Sequence, residues 1–99
     1  TRFPADDWRS SYFVPENLQQ AVPRAEALRP LVPPGSTMAQ MALRFILSNN
    51  TVATTIPGMR RIAHVDANLA CSDAGPLPPA LHRQLMQHRW DRLPTSWSQ

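Results

Sequence analysis

The residue types most capable of chemistry stand together at Ile56-Pro57-Gly58-Met59-Arg60-Arg61. An uncharged, β-branched stretch runs into Pro-Gly there, and two arginines follow. A strand end leading into a helix start is where ligands bind in α/β sheets, because the helix presents unpaired N–H groups to an anion. Gly58 lets a ligand approach the backbone closely. In a helix's first turn, Arg60 and Arg61 would each be disfavoured by about 0.3–1 kcal/mol at the positive dipole end, and a bound phosphate held by the guanidinium forks would offset this. From residue types alone two readings stand: a phosphate site, or two solvated arginines whose dipole repulsion is screened.

The other reactive types offer less. All ten basic residues are Arg, which excludes lysine base or Schiff-base chemistry. Cys71 is the single cysteine, so no disulfide forms within the chain, and a reducing, cytoplasmic setting fits. We read it as a small buried hydrophobe. His64, His82 and His88 lack metal-site spacing, and no metal is expected. Asp6-Asp7 reads as solvated charge, Tyr12 as packing or surface, and Met38 with Met41 as core. Trp90 and Trp97 either line a pocket or cover the end of a small core.

The elements that must position the arginines can be read from periodicity and punctuation. Residues 1–15 show no regular period. A helix is expected from Pro15 and Glu16 through Leu28, kinked or split at Pro23. Residues 31–36 stop it. Ser36 or Thr37 then caps a second helix, with Gln40 completing a capping box and Met38, Met41, Ala42, Phe45 and Ile46 on one face. Asn49-Asn50 ends it, and residues 51–56 read as a strand buried on both faces. A further helix spans about residues 61–71, a proline-rich loop follows, and a last helix is expected over residues 80–89. Beyond Pro94 the chain reads as a tail, giving one partial domain over residues 1–94 and a tail over 95–99.

Length and composition bound what this can be. Ninety-nine residues allow one small domain with a modest core. With 42% hydrophobic and 17% charged residues the chain is too apolar for disorder, while 11 prolines force loops. The net charge of +3 is weak support for nucleic-acid binding. No apolar run approaches membrane-spanning length, and residues 1–10 lack a signal-peptide core. The chain opens without Met, as if from within a longer protein.

Three stretches together, Met41 to Leu47, Thr55 to Arg60 and His64 to Leu69, resemble in order and spacing the last part of the aldo-keto reductases. Ser72-Asp73 and His88-Arg89-Trp90 are similar to later landmarks of that family, so the resemblance covers roughly residues 5–92. It implies a mainly helical α/β fragment: the last βα units of a (β/α)8 barrel plus a C-terminal helix, with too few strands to close a barrel. It also implies NADPH as cofactor and carbonyl–alcohol hydride transfer as the parent activity. Gly58 and Met59 stand where many members place Lys and Ser near the 2′-phosphate, and Arg60 where another branch has a basic residue. His64 replaces a frequent Arg, which makes that contact weaker or pH-dependent. Asn68 matches the Asn that reads the adenine edge, while Ala67 replaces a Glu beside it. The family's catalytic Asp, Tyr, Lys and His belong to earlier strands, so no residue here is assigned a catalytic role.

Two functional classes follow: the NADPH-binding C-terminal portion of a reductase, not catalytic alone, or a stand-alone oligomerising or interaction module derived from one. In both, a lone buried strand leaves its backbone groups without partners. Pairing through residues 51–56 is therefore expected, with a second copy of the chain or with the remainder of the parent enzyme.

Overall fold

The computed structural model describes residues 2–91. Five helices form: α1 (Arg9–Tyr12), α2 (Pro15–Leu28), α3 (Met38–Leu47), α4 (Ile62–Ala74) and α5 (Pro79–Met86), with a 3-10 turn at Arg29–Leu31. No strand forms among the described residues. The molecule is thus mainly helical, consistent with a part of a barrel rather than a closed one.

Residues 51–56 correct the expectation of a strand. β-branched residues favour an extended backbone, but a strand exists only where a neighbour completes the hydrogen-bond ladder. Among the described residues no such neighbour is present. Val52 still donates to the Asn49 carbonyl, at 3.0 Å, and residues 53–60 donate no backbone hydrogen bond to a described residue. Nor is this stretch buried on both faces, since Ile56 is 92% exposed.

α3 organises the molecule. Its N-terminus carries the expected capping box: the Gln40 N–H donates to Thr37 Oγ1 at 3.1 Å and the Thr37 N–H to Gln40 Oε1 at 3.0 Å. Two of the four orphan N–H groups of a helix start are satisfied in this way. α3 packs against α4; Met41 of α3 and Cys71 of α4 are each only 2% exposed, and Leu43 and Leu47 share a hollow with Asn68, Leu69 and Ser72 of α4. Leu77, in the loop after α4, is 4% exposed and completes the hydrophobic core of the described residues. Such a core is small. The radius of gyration, 15.0 Å, also exceeds the roughly 13 Å of a compact chain of this length.

Polar contacts fasten what apolar burial leaves loose. Arg44 of α3 donates from Nε to the Gly75 carbonyl and from Nη2 to the Pro76 carbonyl, both at 3.0 Å. Ser48 Oγ donates to the Arg44 carbonyl at 2.6 Å and accepts the Leu77 N–H at 2.9 Å. The chain can turn there because Gly75 adopts φ 76° and ψ −169°, a region closed to residues with a Cβ. α5 reaches α3 through His82 stacked on Phe45, with centroids 4.9 Å apart.

Three other local expectations are adjusted, and one lies beyond the described residues. α2 runs unbroken through Pro23; the carbonyl that proline leaves without a donor belongs to exposed Gln19, where water can serve it. α5 ends at Met86, short of residue 89. The tail over 95–99 and Trp97 lie outside the described residues. Near the start, where no element was expected, α1 forms because Asp7 anchors it: the Asp7 carboxylate accepts the Arg9 N–H at 2.9 Å and pairs with its guanidinium at 2.6 Å. Arg9 in turn lies over the Phe3 ring at 4.7 Å, and Phe3, Trp8, Tyr12 and Phe13 pack as a ring cluster. Buried Asn17 ties this cluster to α2 by donating to the Tyr12 carbonyl at 3.1 Å.

Asp7 is therefore paired rather than merely solvated. Hydrogen bonds from the Arg9 side chain and backbone hold its carboxyl down at about 2, from an ordinary 3.8. The folded-state value lies below the unfolded one, so the pair stabilises above pH 3.8 and loses its effect as pH falls through about 2. A carboxyl-detected NMR titration is expected to find the Asp7 midpoint near 2, and to find it raised toward 3.8 in Arg9→Gln. An unchanged midpoint in the variant contradicts the pairing.

Candidate functional site

α4 begins differently from α3. Its N-cap is Arg61, with extended backbone at φ −125° and ψ 149°, and no side chain caps it; its first turn holds no acid. The His64 and Val65 N–H groups bond back to the Arg61 carbonyl at 2.9 and 3.1 Å. The N–H groups of Ile62 and Ala63 have no hydrogen-bond partner among the described residues. Arg60 and Arg61 thus precede the helix rather than occupying its first turn, because the backbone turns helical only at Ile62. His64 is the basic residue inside that turn.

A hollow of about 460 Å³ opens here, lined by Gly58, Arg60, Arg61 and His64. Neither arginine forms an ion pair with a described residue. A Cβ built on Gly58 would meet nothing within 4 Å, so the room beside that backbone is open to a ligand. Unpaired N–H groups, two guanidiniums and an imidazole are donors without an acceptor, a set that suits a doubly charged oxyanion.

The five residues expected to hold a cofactor divide into two groups. Gly58, Arg60 and His64 share this hollow, together with Arg61, to which the family resemblance assigned no role although its adjacency to Arg60 marked it. Met59 and Asn68 face a second hollow of about 250 Å³, lined also by Leu43, Leu47, Thr55 and Leu69. The two groups meet at one bond, in which Asn68 Nδ2 donates to the Gly58 carbonyl at 3.3 Å. That bond is the side-chain tie from α4 to the loop carrying the arginines. Asn68 Oδ1 remains available as an acceptor, while part of its donor capacity is committed.

Arg44 was not legible as a functional-site residue, yet it sets the stage by securing the far end of α4 to α3. Nothing in local sequence marks it, since its partners lie 31 and 32 residues away. No group of three His, Cys, Asp or Glu residues able to hold a metal gathers among the described residues. No described helix is long and apolar enough to cross a membrane.

Comparison with known proteins agrees with this arrangement at the level of family. No curated protein and no solved structure matches the chain. The model of the aldo/keto reductase family matches residues 8–89, from the aromatic cluster through α5. With most of its length inside that match, the chain belongs to the aldo/keto reductase family.

Proposed function

We propose that this chain is the C-terminal, NADPH-binding portion of an aldo-keto reductase, an oxidoreductase part that does not catalyse alone. The observation that carries the proposal is the open hollow lined by Gly58, Arg60, Arg61 and His64 at the uncapped start of α4. Those residues fit a phosphate ester in charge and in hydrogen-bond donor type. NADPH, when bound, supplies a hydride to a carbonyl substrate. Arg60 and Arg61 hold the 2′-phosphate, with His64 lining the same hollow beside them. Gly58 keeps the approach clear, and Asn68 fixes the loop while its Oδ1 meets the adenine edge. The proton donor for the carbonyl comes from outside this chain, which contains no Lys and whose sole tyrosine, Tyr12, packs in the aromatic cluster. The buried, unpaired Cys71 suits a reducing, cytoplasmic setting.

Titrating NADPH and NADH against the chain, followed by nicotinamide fluorescence, tests the site. NADPH is expected to bind more tightly, and Arg60→Ala to lose about 1.5–3 kcal/mol of charge-assisted bonding and most of the preference. Gly58→Ala costs the free protein little, because the added methyl enters empty space, yet it intrudes on the bound phosphate and weakens NADPH. No fluorescence change at millimolar cofactor, or equal affinity for the two nucleotides, overturns the proposal.

A second reading, an oligomerising module, is favoured by one observation. The N–H groups of residues 53–56 and 58–60 donate to no described backbone carbonyl, and Ile56 and Ile62 are 92% and 81% exposed. In either reading residues 51–56 pair with a neighbouring strand, from a second copy or from the rest of the enzyme. A scattering mass above the monomer, with slowed amide exchange at residues 52–56, supports self-pairing. A folded monomer whose amides there exchange freely removes it for the isolated chain.

A further inference from the structure

The geometry points to a second ligand site, independent of the nucleotide reading, that takes a medium-chain alkyl carboxylate. An apolar hollow of about 460 Å³ lies between the end of α2, one face of α3, and α5, with Leu28, Met38, Met41, Phe45, Leu85 and Met86 in its walls. Its size falls in the roughly 300–1,000 Å³ range of small-molecule pockets. Methionine and leucine walls adapt to a flexible chain. A second hollow of about 450 Å³ adjoins it, with Gln20, Arg24 and Gln87 among its lining residues. His88 and Arg89 line both hollows.

An apolar trough and a polar, cationic basin therefore meet at one pair of basic residues. That division matches an amphiphile with an aliphatic chain and an anionic head. Arg89 is free to receive the head, because its contact with Asp91 is long, at 3.9 Å, and exposed on both sides. Arg24 adds positive charge to the basin, held by its stacking over the Trp90 ring at 4.5 Å. A neutral alkane would leave this basic rim unused, and an alkyl ammonium would be repelled by it.

Calorimetric titration of the full chain with octanoate, decanoate and dodecanoate, each below its micelle threshold, tests the assignment. Affinity is expected to rise about four-fold for each added methylene that is buried. Decanol is expected to bind about three- to five-fold more weakly than decanoate, and Arg89→Gln to weaken decanoate by the same factor, as suits an exposed ion pair. Ala42 is exposed and lines the apolar hollow, so Ala42→Phe adds its ring from the solvent side, displaces no buried side chain, and is expected to abolish decanoate binding. Equal affinity for decanol and decanoate, unchanged binding in Ala42→Phe, or no binding of any chain length overturns the proposal. So does a scattering mass showing that the unliganded chain is a dimer which Ala42→Phe dissociates, since the hollow is then an interface between copies.

Discussion

Met41→Ala is expected to cost about 2–5 kcal/mol of folding stability, the range for truncating a long buried side chain to alanine. Met41 is 2% exposed on α3, in a described core that otherwise contains only Cys71 and Leu77 as buried hydrophobic residues. The cost has two parts, loss of transfer free energy and the void left behind, and the second grows where the surroundings relax only partly into that void. Small domains stand only about 5–15 kcal/mol above unfolding, and the limited burial here places this chain at the lower end. A large share of molecules is therefore expected to unfold at moderate urea. Met86→Ala, at a residue exposed on α5, is the control and should change stability by under about 0.5 kcal/mol. If the two midpoints shift equally, the core is not centred on Met41.

The second large effect is expected from Arg44→Met, which keeps much of the aliphatic stem and removes the guanidinium. Two hydrogen bonds from a charged donor to the Gly75 and Pro76 carbonyls are lost. At about 1.5–3 kcal/mol for a bond to a charged group, less the share that water replaces at this partly exposed site, a loss of about 2–3 kcal/mol follows. The loss is local. Hydrogen exchange is expected to accelerate in the last turn of α4 and at Leu77, whose N–H bonds to Ser48, while the capped start of α3 keeps its protection. Uniform acceleration throughout the chain contradicts the local role. Arg44→Lys should not rescue fully, because one ammonium cannot reproduce the planar fork that spans both carbonyls.

What could be read from sequence was whatever depends on near neighbours. The α3 capping box is visible because Thr37 and Gln40 stand three residues apart and reach only each other's backbone. The start of α2 at Pro15 and the stop around Pro33-Pro34-Gly35 are visible for the same reason. Residues 51–56 defeated the same reasoning. Val52, Thr54, Thr55 and Ile56 state a preference for extension, but a ladder needs a partner strand, and the described residues contain none. Arg44 and Asn68 were hidden differently. Their hydrogen-bond partners lie 31, 32 and 10 residues away, distances at which side-chain type says nothing about who is met. Family resemblance named Gly58, Met59, Arg60, His64 and Asn68 together. The geometry separates Met59 and Asn68 into a neighbouring hollow and adds Arg61 to the first.

The stretch between α3 and α4 has a consequence for how the chain tolerates change in length. α3 and α4 are joined by the burial of Met41 and Cys71 and by Arg44's grip on Gly75 and Pro76, none of which depends on the route between Ser48 and Arg60. With residues 53–60 donating no backbone bonds, this stretch acts as a tether whose cost is chiefly loop-closure entropy. Doubling it would add only about 0.6 kcal/mol. As long as residues 51–56 are unpaired, length is therefore almost neutral up to Pro57 and constrained from Gly58 onward, where the bond to Asn68 fixes the register of the arginines against α4.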